Sequence, residues 1–308
     1  MPGHEPTPPS GEQFELVHAD QKAIVVEVGG GLRTYSAGGH DLLDGYGLEE
    51  ACTSGRGQVL APWPNRLEDG RYEFGGRQYQ LPLSESEHRN AIHGLVRWAS
   101  WSVLARERHR VVMTHMIHHQ PGYPFSLALS IDYSLSQEGL RVQTTAMNMG
   151  REACPYGIGA HPYLTIGTAT VDPVLLRVPA HTVLLSDERD LPIGTESVAG
   201  TPYDFRAPTP VGSTVLDSCF TDLERGDDGR ARVELRNPES GAALALWVDE
   251  TYPYLMVFTG DPLPDVARRS LAVEPMTCPA NAFRTGTALI HLRPGESFVS
   301  TWGIARDG

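Results

Sequence analysis

Cysteine and long apolar runs are the two features that this sequence has least of. The four cysteines, Cys52, Cys154, Cys219 and Cys278, are widely separated and form no C-x-x-C pair. That spacing excludes a zinc ribbon and a thioredoxin-type redox motif, and it is typical of reduced thiols. The longest apolar run, Ala242 to Val248, is far too short for a helix that spans a bilayer. We therefore expect a globular protein with no membrane partner.

Positive charge is also in short supply. Lys and Arg together number 25 against 38 Asp and Glu, which gives a net charge of -13. This balance disfavours polyanionic partners such as nucleic acid, and it leaves a neutral small molecule as the easier ligand. The segment from Met1 to Gly11 has neither the basic start nor the apolar core of a secretion signal, so we expect a cytoplasmic protein.

Several catalytic motifs are missing as well. The sequence has no G-x-S-x-G elbow, no P-loop, no G-x-G-x-x-G after a strand and no H-E-x-x-H, which leaves the corresponding enzyme classes without support. His115, His118 and His119 are close in sequence, but the alternation of a strand sends His118 to the face opposite the other two. We therefore predict no metal and no other cofactor.

Glycine and proline are plentiful, at 32 and 24 residues, and they separate short segments in which apolar and polar residues alternate. Apolar and polar residues alternate in the segment 14–28, which ends at three consecutive glycines. This pattern predicts an opening hairpin, with Leu32 to Tyr35 as its return strand. The same alternation occurs in Arg71–Phe74 and Arg77–Leu81 on either side of a Gly-Gly pair, which is a strong signal for a β-hairpin. No long segment has the apolar spacing of an amphipathic helix.

The pattern predicts an all-β fold, a large antiparallel sandwich or barrel. We expect a loose tail at residues 1–12 and a single domain at residues 13–308, since no linker divides the chain. Further strands are predicted at Trp101–Arg106, Arg110–His118, Ser126–Leu135, Arg141–Asn148, Val171–Val178, Thr182–Leu185, Arg232–Arg236, Ala243–Val248, Leu255–Phe258, Ser270–Glu274, Thr287–Leu292 and Ser297–Ile304.

His161 stands out because a glycine and a proline flank it. Gly159 precedes it by two residues and Pro162 follows it, an arrangement that fixes the backbone around one imidazole. Histidine exchanges a proton near neutral pH, so His161 is a candidate acid or base. The alternative is a histidine at a strand end that only hydrogen-bonds to its neighbours.

Glu274 closes an apolar strand and is followed by Pro275. A carboxylate among apolar neighbours is expected to have a raised pKa, which suits a general base. The alternative is a solvated glutamate at the end of a strand, and the same alternative holds for Asp217.

Three further polar residues complete the candidate set. Asn65 and Arg66 follow a stiff Pro-Trp-Pro segment, and His93 lies next to a glycine. One acid and one base, with a guanidinium and an amide to orient a polyol, are sufficient to move protons between two oxygens of a sugar.

Seven short motifs that include these residues follow one another along the chain: Pro64-Asn65-Arg66, the hairpin Gly70 to Gly76, Asn90-Ala91-Ile92-His93-Gly94, Pro121-Gly122-Tyr123-Pro124, Gly159-Ala160-His161-Pro162-Tyr163, Leu216-Asp217-x-x-Phe220 and Val273-Glu274-Pro275. Their order and spacing resemble those of the aldose 1-epimerases, the galactose mutarotase family. The resemblance extends from about Ala23 to Ile304. It implies a large twisted β-sandwich whose concave face binds a free aldose, with no metal or nucleotide.

The resemblance also implies catalytic roles. Glu274 would take the proton of the C1 hydroxyl while His161 protonates the ring oxygen. His93 and Arg66 would hold and polarise that oxygen and the neighbouring hydroxyls. The ring opens, the aldehyde end rotates, and the reverse transfers close the ring with the opposite anomer. His161 is then expected to enter the cycle protonated, which a nearby carboxylate would favour.

The remaining residues are expected to hold the sugar. By the same resemblance, Arg66 and Asn65 orient the hydroxyls and Asp217 accepts hydrogen bonds from them. Tyr163 belongs to the motif of His161 and is included in the binding set. Trp98, with its apolar indole face, is a further candidate beside Arg97, although a core tryptophan is the alternative.

Two departures leave the identity of the sugar open. The segment Ile92 to Trp98 stands where a longer glycine-rich loop is common in galactose mutarotases, and Ala160 precedes His161 where asparagine is frequent. In both respects the chain is more similar to the bacterial branch that includes the sulfoquinovose mutarotases. The sequence does not decide between galactose, glucose, a pentose and sulfoquinovose, nor does it indicate an oligomeric state. Two other functions remain as alternatives, a non-catalytic carbohydrate-binding sandwich and a hexose-6-phosphate 1-epimerase.

Overall fold

The computed structural model describes residues 6–307, in which nearly all of the regular secondary structure is antiparallel strand. In chain order the strands are β1 Gln13–His18, β2 Gln21–Val26, β3 Leu32–Ala37, β4 His40–Asp41, β5 Val59–Leu60, β6 Arg66–Glu68, β7 Arg71–Phe74, β8 Arg77–Gln80, β9 Asn90–Ile92, β10 Ser102–Glu107, β11 Arg110–Ile117, β12 Leu127–Ser136, β13 Gly139–Asn148, β14 Cys154–Tyr156, β15 Gly159–Ala160, β16 Tyr163–Leu164, β17 Leu175–Arg177, β18 Ala180–Ser186, β19 Pro192–Ser197, β20 Thr209–Pro210, β21 Asp217–Leu223, β22 Ala231–Arg236, β23 Ala243–Val248, β24 Tyr254–Phe258, β25 Leu271–Met276, β26 Ile290–Leu292 and β27 Ser297–Asp307.

Two large sheets form the body of a β-sandwich, as the sequence predicts. One has nine strands in the order β10-β11-β12-β13-β27-β23-β22-β17-β20. The other has eight strands, ordered β19-β18-β21-β24-β25-β15-β5, with β16 also paired to β25. Buried and partly exposed side chains alternate along β12 and β13, so one face of the nine-stranded sheet points into the core.

The predicted opening hairpin is confirmed. Strands β1 and β2 pair in antiparallel register, β3 returns after the glycine turn, and β4 completes a four-stranded sheet. The predicted loose tail is only partly described, because residues 1–5 lie outside the described range. Its later part is packed on the sheet: Ser10 is buried, and the Val28 N–H donates to the Ser10 carbonyl at 3.0 Å. The composition of the tail did not reveal these contacts.

Most of the predicted strands are present, with shifted ends. Ala243–Val248 is found with the predicted bounds, whereas of Val171–Val178 only Leu175–Arg177 is a strand. Strand β19 was not predicted because its sequence, Pro-Ile-Gly-Thr-Glu-Ser, is almost fully exposed and lacks apolar alternation.

The one helix among the described residues is α1, Ala282–Thr285, which has four residues. Within residues 6–307 no helix has the length and apolar character needed to cross a membrane. The expected cytoplasmic location stays a prediction.

Strand β25 fixes the position of the candidate site. It lies in the interior of the eight-stranded sheet, between β24 on one side and β15 and β16 on the other. All six of its residues are buried, so a charged side chain on this strand must be compensated by its immediate neighbours.

Candidate active site

Glu274 and His161 meet across two neighbouring strands. Gly159 pairs with Met276 and Tyr163 pairs with Ala272, a register that places His161 directly opposite Glu274, in the gap between β15 and β16. His161 Nε2 lies 3.3 Å from Glu274 Oε1. Both side chains are buried, with 6% and 3% of their residue surface exposed. The two residues that the sequence singles out therefore form a buried pair, which we call the dyad.

The backbone of His161 is held from both sides. Its N–H donates to the Gln58 carbonyl at 3.1 Å, and its carbonyl accepts from the Gly57 N–H at 2.9 Å. Gly159 is needed because a Cβ there would lie 2.9 Å from the Pro275 carbonyl oxygen. Gly159 therefore allows the backbone to pack closely against β25, and its role is to leave room for that packing and not to make the backbone flexible.

The imidazole of His161 is also held by packing. It stacks on the Tyr163 ring, with centroids 5.0 Å apart and planes 10° apart. The Arg56 guanidinium lies 4.6 Å from the centroid of the same Tyr163 ring. A Cβ at Gly55 would lie only 2.7 Å from His161 Cδ2, so the Gly55 backbone closes the imidazole site. This side chain has little freedom to turn.

His93 lies at the end of the β6–β9 ribbon, opposite Asn65. The Asn65 N–H donates to His93 Nδ1 at 3.2 Å, and the His93 N–H donates to the Asn65 carbonyl at 2.9 Å. Both residues have left-handed backbones, with φ of 61° and 54°, a conformation that costs about 1–3 kcal/mol each and is common at functional sites. The His93 ring meets the His161 ring edge-on at a centroid distance of 5.4 Å.

The dyad and His93 together have the composition of a metal site. One ligand atom from each of the three lies within 4.8 Å of the others. However, His93 Nδ1 accepts the Asn65 N–H, which fixes the tautomer in which the other ring nitrogen carries the proton. A metal on that nitrogen would put a proton on Nδ1, facing another donor. The cluster is therefore better suited to donate a hydrogen bond to an oxygen atom than to bind a cation.

Burial decides the protonation of the dyad. It raises the pKa of Glu274 well above its ordinary value, with the charge of Asp217 adding to the effect and Arg66 opposing it. The pKa of His161 is lowered to about 3, mainly by burial and in part by the charges of Arg97 and Arg56. These shifts oppose the expectation of a protonated His161, because they favour a neutral imidazole with the shared proton on Glu274.

Two atoms of the dyad have no partner. His161 Nδ1 and Glu274 Oε2 are buried without a hydrogen bond among the described residues. Burying a polar atom in this way is unfavourable, and a few such atoms in a native structure call for an explanation. A ligand that hydrogen-bonds to Glu274 Oε2 would supply one.

A cleft adjoins the dyad along one row of the sheet. Cys219 pairs with Met256, and Met256 pairs with Glu274, so these three side chains lie side by side on one face. Cys219 and Met256 line the cleft, together with Asn65 and Asp217. Asp217 is exposed to solvent in the cleft, yet the surrounding protein raises its pKa, against the opposing effect of Arg66.

Arg66 contacts Asp190, which lines the cleft, and is held by a network of fixed contacts. Its Nε donates to both carboxylate oxygens of Glu85 at 3.1 and 3.0 Å, and Nη2 donates to Oε1 at 3.0 Å. Asp190 Oδ2 lies 3.1 Å from Nη2. Asn90 Nδ2 donates to Glu85 Oε2 at 3.0 Å. We call Arg66, Glu85, Asn90 and Asp190 the rim network.

The structure does not group the last two predicted residues with the others in the cleft. Tyr163 is 2% exposed, and its hydroxyl donates to the Ser54 carbonyl at 3.0 Å, so it supports His161. Trp98 is 62% exposed and is therefore not a core tryptophan. Arg97 lies beside it, and burial lowers the pKa of its guanidinium.

A family profile described as aldose 1-epimerase matches residues 12–304. The chain belongs to the aldose 1-epimerase family. It is 34% identical to the Escherichia coli K12 protein YihR, named as uncharacterized, over 93% of this chain and 91% of that protein. It is 23% identical to the mouse galactose mutarotase, over 80% and 77% of the two chains.

A solved structure supports the fold assignment. The galactose 1-epimerase from Lactobacillus acidophilus NCFM superposes with a TM-score of 0.78 at 22% identity, covering 94% of this chain and 92% of that one. A likeness at that identity establishes the fold, which is galactose mutarotase-like.

Sequence reasoning missed several residues of this epimerase-family site. Glu85, Asp190 and Arg56 belong to none of the sequence motifs. Gly55 could have been noticed as one of two glycines near a buried arginine, but its contact with His161 depends on the fold. No local signal connects Asp190 to Arg66.

Proposed function

We propose that this protein is an aldose 1-epimerase that interconverts the α and β anomers of a free aldose. The observation that carries the proposal is the 3.3 Å contact between His161 Nε2 and Glu274 Oε1 beside a polar cleft. Mutarotation moves protons at two oxygens bonded to the same carbon. An acid and a base in contact with each other are placed for that task.

The dyad carries one proton, and the cycle redistributes it. In the ligand-free site the proton is on Glu274, and the short contact lets it pass to His161 Nε2 when the sugar binds. Glu274 then takes the proton of the C1 hydroxyl, the bond between C1 and the ring oxygen breaks, and that oxygen takes the proton of His161. Rotation about the C1–C2 bond and the reverse transfers give the opposite anomer. Each aligned acid or base typically contributes about 10²- to 10⁴-fold.

The other residues hold and polarise the sugar. The protonated ring nitrogen of His93 donates to the ring oxygen, since Asn65 occupies the opposite nitrogen. Arg66, Asn65 and Asp217 bind hydroxyls in the cleft. Trp98 offers an exposed indole face for a sugar ring, and Tyr163 acts through His161.

Anomer exchange measured by NMR over glucose, galactose, xylose, arabinose and sulfoquinovose tests the proposal. We expect at least one of these sugars to exchange anomers much faster than in buffer, and the acceleration to be lost in Glu274→Gln. If none exchanges faster than in buffer, the proposed function is wrong.

The same assay separates the two rival functions. A carbohydrate-binding sandwich would bind a sugar without accelerating exchange. A hexose-6-phosphate 1-epimerase would accelerate exchange of a phosphorylated sugar alone, so glucose 6-phosphate belongs in the panel.

A further inference from the structure

The tip of the hairpin between β18 and β19, residues 187–191, is held in one shape by its own side chains. The Asp187 carboxylate accepts hydrogen bonds from the backbone N–H groups of Arg189 and Leu191, each at 2.9 Å. Aspartates that bond to nearby backbone N–H groups are typical of tight turns. The tip therefore has a defined conformation before any ligand binds.

Arg189 connects this tip to the ribbon that carries His93. Its Nε donates to the His88 carbonyl at 2.9 Å, and its Nη2 donates to Asp69 Oδ1 at 3.0 Å. In the other direction, Asn90 Nδ2 donates to the Arg189 carbonyl at 3.1 Å. These bonds link the eight-stranded sheet to the β6–β9 ribbon, so the residue after Arg189 is held at a fixed place on the cleft.

That residue is Asp190, whose carboxylate is a second anionic partner for an arginine that Glu85 already binds. Glu85 already accepts hydrogen bonds from Nε and Nη2 of Arg66, and Asp190 adds a second anion at 3.1 Å. The Asp190 side chain is 34% exposed and lines the same cleft as Asp217. Three carboxylates, Glu85, Asp190 and Asp217, interact with the one Arg66 guanidinium, and His88 Nδ1 lies 3.6 Å from Asp190 Oδ2. Ionised carboxylates only accept hydrogen bonds, so this arrangement favours a ligand with several O–H donors.

Asn65 supplies the complementary group. It lines the cleft although only 5% of its surface is exposed. Its Oδ1 accepts the Arg66 N–H at 2.8 Å, and within residues 6–307 no hydrogen bond occupies its Nδ2. The cleft thus presents two acceptors and one buried donor beside the apolar side chain of Met256. Neighbouring hydroxyls on a pyranose both donate and accept hydrogen bonds, and they match this set.

We propose that Asp190 is a further specificity-determining residue, a second hydroxyl acceptor that faces Asp217 across the cleft and selects an uncharged polyol segment of the sugar. The proposal rests on the proposed epimerase function. It assigns a direct sugar contact to the β18–β19 tip, which no family motif of this chain includes.

The test uses the aldose that the wild-type protein exchanges fastest, together with its monodeoxy analogues, each lacking one hydroxyl. Asp190→Asn is compared with Glu188→Gln, which removes a charge from an exposed residue of the same tip. Glu85→Gln is a second control, because it weakens the hold on Arg66 without removing Asp190. Anomer exchange and sugar binding are both measured by NMR for every pair of protein and sugar.

We expect Asp190→Asn to lower kcat/KM for the parent sugar about tenfold, mainly through KM, as for loss of a hydrogen bond to a charged group. For the analogue that lacks the contacted hydroxyl, the loss should nearly vanish. Glu188→Gln should match the wild type, and Glu85→Gln should affect all the sugars alike. An Asp190→Asn effect that is absent, or equally large for every analogue, would overturn the inference. A wild-type protein that exchanges no aldose instead contradicts the proposed function, and the binding data then decide the role of Asp190 separately.

Discussion

Two clusters of ionisable side chains border the cleft, and they differ in how their charges are compensated. In the rim network, Arg66 is bonded to Glu85 through three hydrogen bonds and to Asp190 through a fourth contact. In the dyad, His161 and Glu274 have one contact with each other, and each keeps a buried polar atom without a partner in the part of the chain that the structure describes. The polar groups of the rim network therefore have their hydrogen-bond partners within the protein, whereas the dyad leaves two polar atoms without one among residues 6–307.

The difference indicates a division of labour. Groups with fixed, charged partners keep their charge and geometry, which suits the orientation of a ligand. Groups that are buried without fixed charged partners have shifted pKa values, which is a common feature of sites that transfer protons. Variants that change one cluster at a time test whether the two clusters have these separate roles.

The largest effect is expected from the dyad. Glu274→Gln keeps the shape of the side chain but removes the base, so kcat should fall by about 10²- to 10⁴-fold with little change in folding. His161→Asn should lower kcat by a similar factor. The measurements are NMR anomer exchange for kcat and circular dichroism for the melting temperature.

The double variant sharpens this prediction. Because Glu274 and His161 share one proton, their losses should be strongly non-additive, and the double variant should be hardly slower than either single one. Losses that multiply would show that the two residues act independently. Near-normal turnover in Glu274→Gln would remove Glu274 from the role of base.

The next effect concerns the aim of the imidazole. Gly55→Ala would place a methyl group 2.7 Å from His161 Cδ2, at a position where φ is +74°. We expect the ring to be displaced and kcat to fall by about 10²-fold, as for a misplacement of about 1 Å. Gly200→Ala is the matched control, since φ is +75° there and no atom lies within 4 Å of the added Cβ. If both variants lose the same activity, backbone strain and not the imidazole contact is responsible.

A smaller effect is expected from the rim. Arg66→Ala should raise KM by about 10- to 100-fold, since a hydrogen bond to a charged group contributes about 1.5–3 kcal/mol, while kcat changes less. Arg66→Lys should recover part of the loss, because an ammonium keeps the charge but not the planar fork. Arg110→Ala breaks a similar fork to Asp132 on the nine-stranded sheet and should leave KM unchanged. A drop in kcat that exceeds the rise in KM would place Arg66 among the catalytic groups.

The sequence predicted the dyad better than the rim, for a physical reason. Both residues of the dyad have a signal in the neighbouring sequence. Gly159 and Pro162 flank His161, and an apolar strand precedes Glu274. The raised pKa expected for Glu274 is confirmed, because its cause is the apolar strand itself.

The rim could not be predicted because it depends on the packing of distant segments. Glu85 and Asp190 reach Arg66 from two different loops, and neither has a local signal. The neutral state of His161 was missed for a similar reason: the sequence suggests a carboxylate partner, but the burial that outweighs it appears only in the folded protein.

The smallest predicted effect is on stability, and it has opposite pH dependence for the two members of the dyad. The raised pKa of Glu274 gives a contribution to the free energy of unfolding that is full at acidic pH and lost as pH rises. The lowered pKa of His161 gives one that is full above its ordinary pKa and lost as pH falls towards about 3.

Replacing each residue with a neutral one removes its titration from the folded protein. Relative to the wild type, Glu274→Gln should therefore gain melting temperature as pH rises from about 4 to about 8, whereas His161→Asn should gain as pH falls from about 7 to about 4. Melting curves across this range provide the measurement. If both trends were reversed, so that Glu274→Gln gains as pH falls and His161→Asn gains as pH rises, the pair would be held as an ion pair and not in its neutral forms, which would reverse the first step of the proposed cycle.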